Sequence, residues 1–172
     1  MGGGIAMNFA NVGIPVTVIE NSQESLDKGM KIIEKNYFNT VSKGRMNENE
    51  FKNRMSLIKG STNLESIANS DVVVEAVFEE MNLKKEMFIK IDKLAKENSI
   101  LATNTSTLDI DQIAESTSRP QFVIGTHFFS PANVMKLLEI VRGKHTSKEV
   151  IASTMKLAKN IKNKNQLLFH QQ

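Results

Sequence analysis

The sequence contains no cysteine, few aromatic residues and no run of 18 apolar residues. Because no disulfide can form, a cytosol-like compartment is the default expectation. A transmembrane helix needs about 20 apolar residues, so we expect neither a membrane span nor a membrane partner. Aromatic residues make up only 6% of the chain and no nucleic-acid-binding motif accompanies its lysines, which argues against an RNA or DNA partner.

What the sequence does contain is typical of one globular domain. Its 172 residues are 40% hydrophobic and 24% charged, which is enough for a sizeable core, and the formal net charge is +3. Lysines concentrate between residues 136 and 164. This stretch is best explained as a solvated helix face, although a substrate that carries phosphates would also suit it.

Helix and strand patterns alternate along the chain. A first helix ends at Gly13, and a β-branched strand follows at residues 16–20. Two further helices are predicted from capping-box patterns that begin at Asn21 and Asn47. This alternation predicts an α/β fold with a mostly parallel sheet. The later predicted elements are strands at 71–77, 100–103 and 122–125, and helices at 82–95, 109–114 and from Thr146 onward.

Polar residues gather where the predicted strands end. In a parallel sheet, ligands bind beyond the carboxyl ends of the strands. Each of these residues alone could be an ordinary cap or turn residue, but their convergence on one edge favours a binding site. They are Glu20, Glu79, Asn104, Thr105, Ser106 and His127.

The stretch that begins at Gly2 matches the second half of a dinucleotide-binding unit, with glycines, a helix and a strand that ends in an acid. Glu20 follows Gly2 by 18 residues, close to the spacing expected for a carboxylate on the adenosine ribose. Such an acid favours NAD over NADP, because it would repel a 2′-phosphate. No G-x-G precedes this stretch, so a glycine-rich tail is the alternative.

His127 directly follows a predicted strand, and Glu139 lies twelve residues later among apolar neighbours that suggest partial burial. A buried carboxylate needs a partner, and a nearby imidazole is a natural one. Such a pair poises a histidine for proton transfer near neutral pH. The sequence leaves open whether the two residues meet, since a histidine beside two phenylalanines is often only packed. His145 and His170 lie in polar surroundings and are expected to be solvated.

Three segments together resemble the NAD-binding domain of 3-hydroxyacyl-CoA dehydrogenases: DVVVEAVFEEMNLKKEMF, ILATNTSTLDIDQIA and GTHFFSPANVMKLLEIVRG. The resemblance runs from Met1 to about residue 162, and Ser-Pro-Ala-Asn after the two phenylalanines is closest to bifunctional enzymes that also carry an enoyl-CoA hydratase. It implies a Rossmann-like, doubly wound, mostly parallel sheet. It also implies NAD-dependent oxidation of (S)-3-hydroxyacyl-CoA to 3-oxoacyl-CoA in fatty acid β-oxidation, in the cytoplasm of bacteria or the peroxisomes or mitochondria of eukaryotes.

The resemblance also assigns roles to individual residues. His127 would be the catalytic base, Glu139 its orienting carboxylate, and Ser106 a contact of both substrate and cofactor. No metal is implied. The implied NAD contacts are Met1, Gly2, Glu20, Val77, Phe78, Glu79, Lys84, Asn104, Ser106 and Ser130.

The sequence departs from the family's pattern at both ends. The family's glycine loop reads G-x-G-x-M-G, and Met1-Gly2 match only its last two residues, so we expect the first strand and two glycines to be missing. A catalytic asparagine and a helical C-terminal domain would lie beyond Gln172. We therefore assign residues 1–164 to a truncated NAD-binding domain that is inactive alone.

The tail at 165–172 does not resemble the strand expected there, and we hypothesise a frameshift near Asn165. Two other functions stay open at this stage. The chain could belong to another β-hydroxyacid dehydrogenase on the same fold, or it could be a non-catalytic remnant or interaction module.

Overall fold

The computed structural model describes residues 1–162 and 167–171. Contacts divide the chain into two compact units, unit 1 with residues 1–66 and 130–134 and unit 2 with residues 67–129 and 135 onward. Helices and strands alternate in both, which gives the Rossmann-like α/β fold expected from the sequence. Among the described residues, no helix is long and apolar enough to cross a membrane.

Unit 1 contains one parallel pair of strands and three helices. Its elements are α1 (Gly2–Ala10), β1 (Val16–Ile19), α2 (Gln23–Ser42), α3 (Glu48–Ser56) and β2 (Ile58–Ser61), followed by a short 3-10 helix (Leu64–Ile67). Strands β1 and β2 are parallel, with Val16 opposite Ile58. Met7, Ile33 and Tyr37 are buried in the core beside them. Burial raises the pKa of Tyr37 to about 12, and its hydroxyl donates to Asn11 Oδ1 at 2.9 Å.

Unit 2 contains a five-stranded sheet in the order β3-β4-β5-β6-β7. Its elements are β3 (Val72–Glu75), α4 (Met81–Leu94), β4 (Ile100–Thr103), α5 (Ile110–Ala114), a 3-10 helix (Pro120–Phe122), β5 (Val123–Phe128), β6 (Leu138–Arg142), α6 (Lys148–Lys162) and β7 (Leu167–Gln171). Neighbouring strands are parallel except β5 and β6, which run antiparallel. The strand interiors are apolar, and Leu101, Val123 and Ile140 are fully buried.

The described strands form two sheets, where the sequence predicts a single doubly wound sheet. The prediction also leaves out the first strand of that sheet. Strand β1 pairs with β2, and β3 pairs with β4, each in parallel.

Gly125 lets helix α5 and strand β6 lie directly against β5. A Cβ atom at this position would fall 2.9 Å from the Cβ of Val141 and closer still to Cδ1 of Ile110. Only a residue without a Cβ atom fits there. His127 follows two residues later on the same strand, so this packing fixes the backbone from which its side chain projects.

The helix starts differ in part from the prediction. The capping box at Asn47 is confirmed, because its side chain accepts from the Glu50 N–H while the Glu50 carboxylate accepts from the Asn47 N–H. Helix α2 is instead capped by Ser22, and the prediction of Asn21 was wrong. Ser22 Oγ accepts a hydrogen bond from the Ser25 N–H at 3.2 Å, which satisfies a donor of the first turn.

Helix α6 begins after Ser147, whose Oγ accepts from the Val150 N–H at 3.2 Å. The predicted start at Thr146 was wrong for a local reason. The Thr146 hydroxyl is buried, donates to the Val123 carbonyl and accepts from the Gly143 N–H. It therefore fastens the preceding turn to β5, and the next hydroxyl along the chain caps the helix.

Three strands are absent from the sequence-based prediction, namely β2, β6 and β7. The sequence of the tail does not resemble the strand expected there from the family, yet Leu167–Gln171 pair in parallel with β6. Asn165, the position of the hypothesised frameshift, lies outside the described residues. Strand β6 has the largest consequence, because it carries one half of the candidate catalytic pair.

Candidate active site

His127 and Glu139 face each other across the antiparallel strands β5 and β6. The register places them directly opposite, where cross-strand side chains lie within contact distance. Nδ1 of His127 is 3.0 Å from Oε2 of Glu139. The two side chains are 17% and 21% exposed, so the pair is shielded but reachable from solvent. His127 and Glu139 therefore do contact each other, a point that the sequence alone did not decide.

The contact also decides which nitrogen of the ring is basic. An ionised carboxylate only accepts hydrogen bonds, so Nδ1 of His127 carries the proton that Glu139 accepts. Nε2 is then the nitrogen with a lone pair, ready to accept a proton from a ligand. The Phe129 ring lies against the imidazole, with the two ring centres 4.3 Å apart, and limits its rotation.

Asn104 joins the end of β4 to the end of β5. Its Oδ1 accepts from the Phe128 N–H at 2.8 Å, one residue after His127. This bond holds the two strand ends together at the edge where the sequence predicts a site. The amide NH2 group of Asn104 has no hydrogen-bond partner among the described residues, so the side chain has a donor available for a ligand.

Glu79 organises the loop that follows β4. Its Oε1 accepts from the Thr105 hydroxyl at 2.6 Å, from the Ser106 N–H at 2.8 Å and from the Ser106 hydroxyl at 3.2 Å. Burial alone would raise the pKa of this carboxyl, but these hydrogen bonds and the nearby Lys84 lower the pKa to about 2. Glu79 is thus ionised at physiological pH, and Ser106 is turned towards it.

Lys84, another expected cofactor contact, is buried near the start of α4. Its side chain is 1% exposed, and its ammonium donates to Glu75 at 2.8 Å and to the Val77 carbonyl at 3.3 Å. Glu79 lies 3.4 Å away on another side. Lys84 therefore lies behind the loop and not on its surface.

Sequence reasoning missed Glu75, the buried partner of this lysine. Its carboxylate also accepts from the Val77 N–H at 2.6 Å and from the Thr103 hydroxyl at 2.8 Å. One signal was present in the sequence. An acid at the end of the apolar run Val72–Val74 needs a partner, and Lys84 follows nine residues later.

The remaining expected contacts of unit 2 lie on the surface of the β3–α4 loop. Val77 is partly buried, whereas the Phe78 side chain is 80% exposed. A phenyl ring left this open is apolar surface that a ligand could cover.

Unit 1 holds the other expected cofactor contacts. Helix α1 begins with three glycines after Met1, and no acid lies in its first turn. The first N–H groups of a helix have no partner within it and attract anions. A Cβ atom on Gly2 would meet no other atom within 4 Å, which leaves open space above the backbone. A phosphate could approach these N–H groups closely.

Glu20 follows β1 and is half buried. Its N–H donates to the Ser61 carbonyl at 3.1 Å, which holds the backbone at the strand end. Its carboxylate has no hydrogen-bond or ion-pair partner among the described residues. A partly buried acceptor without a partner suits a ligand that brings hydroxyl donors, as a ribose does. The residues of unit 1 therefore fit a dinucleotide.

Asn8 is a residue of this unit that sequence reasoning missed. Its buried amide donates to the Gly4 carbonyl and to the Ala132 carbonyl, each at 2.8 Å. A Cβ atom on Gly4 would lie 3.1 Å from the Cβ of Ala132. Helix α1 is thereby fixed to residues 130–134, which include the exposed Ser130. A cis peptide bond joins Ser130 to Pro131.

Comparison with known proteins gives one consistent result. The model of the family described as "3-hydroxyacyl-CoA dehydrogenase, NAD binding domain" matches residues 1–171. A peroxisomal bifunctional enzyme of Cavia porcellus is 48% identical over 94% of the chain, and a 3-hydroxybutyryl-CoA dehydrogenase of Clostridioides difficile is 41% identical over 94%. The chain spans 22% and 57% of the length of these relatives.

A solved structure shares the fold along nearly the whole chain. The (S)-3-hydroxybutyryl-CoA dehydrogenase of Ralstonia eutropha is 33% identical, with a TM-score of 0.95. The match covers 99% of this chain and 60% of that protein.

Proposed function

The chain belongs to the family of 3-hydroxyacyl-CoA dehydrogenases, in the part that binds NAD, and from this we propose its activity. It supplies the NAD site and the histidine–glutamate pair of an enzyme that oxidises (S)-3-hydroxyacyl-CoA to 3-oxoacyl-CoA. The product and substrate place the reaction in fatty acid β-oxidation. The observation that supports the proposal most strongly is the 3.0 Å contact between His127 and Glu139.

The proton of the substrate's 3-hydroxyl passes to Nε2 of His127. Loss of this proton lets the C3–H bond break with its electron pair, so that C3 becomes the carbon of a ketone. NAD, when bound, supplies the acceptor for that hydride. Glu139 stabilises the imidazolium that results, because its negative charge lies 3.0 Å from Nδ1. In the reverse direction the imidazolium returns the proton as the ketone is reduced.

Ser106 provides a hydroxyl close to the reacting oxygen of the substrate. Its N–H is held by Glu79 at 2.8 Å, whereas its hydroxyl makes the longer contact of 3.2 Å. The backbone bond fixes the loop, and the hydroxyl can turn from Glu79 to the substrate without moving it. A hydrogen bond to the developing charge on the oxygen then favours the transition state.

The cofactor contacts that we propose are those expected from the sequence. The N–H groups at Gly2 bind the pyrophosphate and Glu20 binds the adenosine ribose, which makes NAD the preferred cofactor over NADP. The other proposed cofactor contacts are Met1, Val77, Phe78, Glu79, Lys84, Asn104, Ser106 and Ser130.

The proposal also covers parts of the whole protein that lie outside this chain. The relatives are longer, so we propose a C-terminal helical domain that completes the substrate site and, as in the bifunctional relatives, a fused enoyl-CoA hydratase. The enzyme acts in the cytoplasm of a bacterium or in the peroxisomes or mitochondria of a eukaryote. Alone, residues 1–164 do not turn over substrate.

Formation of NADH by the whole natural polypeptide that contains this chain tests the proposal. Three substrates are compared: an (S)-3-hydroxyacyl-CoA, its (R) enantiomer and the free 3-hydroxy acid. We expect NADH and the 3-oxoacyl-CoA only from the (S) thioester. Equal rates with the free acid would identify another β-hydroxyacid dehydrogenase. Absence of NADH with all three, despite NADH binding, would indicate a non-catalytic domain.

A further inference from the structure

We propose that Asn8 is a positioning residue for the nicotinamide end of the cofactor site. Its buried side-chain amide joins helix α1 to residues 130–134 and thereby sets where the Ser130 hydroxyl meets the nicotinamide. Asn8 and these residues all belong to unit 1. The inference deepens the proposed function and rests on it, because it concerns how this site receives NAD.

The amide of Asn8 uses both of its N–H donors inside the protein. Nδ2 donates to the Gly4 carbonyl at 2.8 Å and to the Ala132 carbonyl at 2.8 Å. Because carbonyl oxygens only accept, the NH2 end of the amide must face them. The first bond holds the side chain against its own helix, and the second reaches a residue 124 positions later in the chain. Asn8 is 7% exposed, so water competes little for either bond.

Small residues bring the two backbones together around this amide. A Cβ atom on Gly4 would lie 3.1 Å from the Cβ of Ala132 and 3.2 Å from the backbone nitrogen of Asn133. Ala132 is 2% exposed, whereas Ser130 lies on the surface. The segment therefore contacts α1 through Ala132. Because apolar contact has no direction of its own, the hydrogen bond from Asn8 decides how the segment is turned on the helix.

The position of Ala132 determines that of Ser130. Ser130 precedes Ala132 by only two residues, so its hydroxyl moves with the Ala132 carbonyl. Ser130 also follows the proposed base His127 by three residues, which span at most about 11 Å of chain. The nicotinamide takes its hydride from the carbon whose hydroxyl His127 deprotonates, so Ser130 belongs to the nicotinamide end of the site. Asn8 thus fixes this contact relative to the helix whose start receives the pyrophosphate.

The test compares the binding of NADH and of ADP-ribose to the whole natural polypeptide. ADP-ribose carries the adenosine, the pyrophosphate and the second ribose but lacks the nicotinamide. Asn8→Leu keeps a similar side-chain volume and removes both hydrogen bonds. We expect the Kd of NADH to rise about fivefold, the effect of one lost neutral hydrogen bond, while the Kd of ADP-ribose changes less than about twofold. We also expect kcat to fall by about tenfold, because a misplaced nicotinamide accepts hydride poorly.

Two further variants complete the design. Should Asn8→Leu fail to fold, Asn8→Ala removes the same two bonds without adding bulk and permits the same comparison. Asn11→Ala is the matched control, because Asn11 is an asparagine at the end of the same helix whose Oδ1 accepts from Tyr37 and Arg54. We expect this control to lower the melting temperature but to leave kcat and both dissociation constants unchanged.

Two results would overturn the proposal. An equal rise in the Kd of NADH and of ADP-ribose would show that Asn8 supports the helix as a whole and not the nicotinamide end. Unchanged binding of both ligands with normal kcat would show that the segment keeps its position without Asn8. If the wild type binds NADH but forms none from any substrate, the proposed function fails, while the ratio of the two dissociation constants still decides the role of Asn8. A wild type that binds neither ligand contradicts both proposals.

Discussion

Glu139 lies directly opposite His127 across an antiparallel strand pair, with 3.0 Å between Oε2 and Nδ1. The two residues are twelve apart in sequence, and the chain between them leaves strand β5 and returns as β6. Because cross-strand neighbours are fixed by register, the imidazole is held by the sheet itself. This rigidity is what a proton-transferring group needs, since misplacement by about 1 Å can cost a hundredfold in rate.

The charge of Glu139 can be tested apart from its size. Glu139→Gln keeps the shape of the side chain but cannot stabilise an imidazolium, so we expect kcat to fall by about a hundredfold. The Kd of NADH should change little. Glu149→Gln, on the exposed first turn of α6, is the control. Normal turnover in Glu139→Gln would remove the carboxylate from the mechanism.

Glu20 is expected to set the choice of cofactor. In Glu20→Ala the repulsion of a 2′-phosphate is gone, so the ratio of kcat/KM with NAD to that with NADP should fall by about tenfold or more. Glu24→Ala changes a nearby acid in the first turn of α2 and should leave the ratio unchanged. A wild-type enzyme that uses NADP as well as NAD would show that Glu20 does not face the ribose.

Glu79 should make the stability of the protein fall at low pH. Its pKa in the folded protein is lowered from 4.5 to about 2, so the folded state binds this proton less readily than the unfolded state. The stabilisation is therefore present above about pH 4.5 and is lost as the pH falls towards 2. Urea unfolding at a series of pH values should show a steeper loss in the wild type than in Glu79→Gln. Parallel curves would contradict this account.

Arg119 is expected to be the main cap of helix α4. Its guanidinium donates to Asp92 Oδ1 at 2.7 Å, to the Lys96 carbonyl at 2.7 Å and to the Ala95 carbonyl at 3.0 Å. Arg119→Met removes the ion-pair partner of the shielded Asp92, which keeps its hydrogen bond from the Ser118 N–H, and should lower the free energy of unfolding by about 3 kcal/mol.

Arg119→Lys tests the positive charge apart from the several N–H donors of the guanidinium group. A lysine can keep the ion pair with Asp92 but cannot reach several carbonyls at once, so its loss in denaturant unfolding should be intermediate. Equal stability of the Met variant and the wild type would show that the helix end does not depend on this side chain.

The family and the site edge were predictable from the sequence, and the family is confirmed. The strand ends carry polar residues, as expected where ligands bind. Residues 104–106 and His127 lie at the ends of β4 and β5, which the hydrogen bond between Asn104 and the Phe128 N–H connects. Strand β6 was missed because its five residues carry a charged Glu139 in the middle, which no simple strand pattern predicts. Only the pairing with His127 explains that charge.

The buried pair of Glu75 and Lys84 was harder to foresee. A lysine on an amphipathic helix is normally exposed, and the pattern of α4 gives no sign that this one turns inward. The predicted starts of two helices were wrong by one residue. At both Asn21 and Thr146, the residue one position later caps the helix, because several neighbouring side chains can serve as the cap.

The most direct test of the central claim is the rate of NADH formation from an (S)-3-hydroxyacyl-CoA by wild type, His127→Gln and His145→Gln. His145 is a more exposed histidine of the same unit, 3.8 Å from Glu115, and serves as the matched control. We expect His127→Gln to lower kcat by about a hundredfold or more, the scale of a lost general base, with unchanged NADH binding and a normal His145→Gln. Near-normal turnover in His127→Gln would contradict the account.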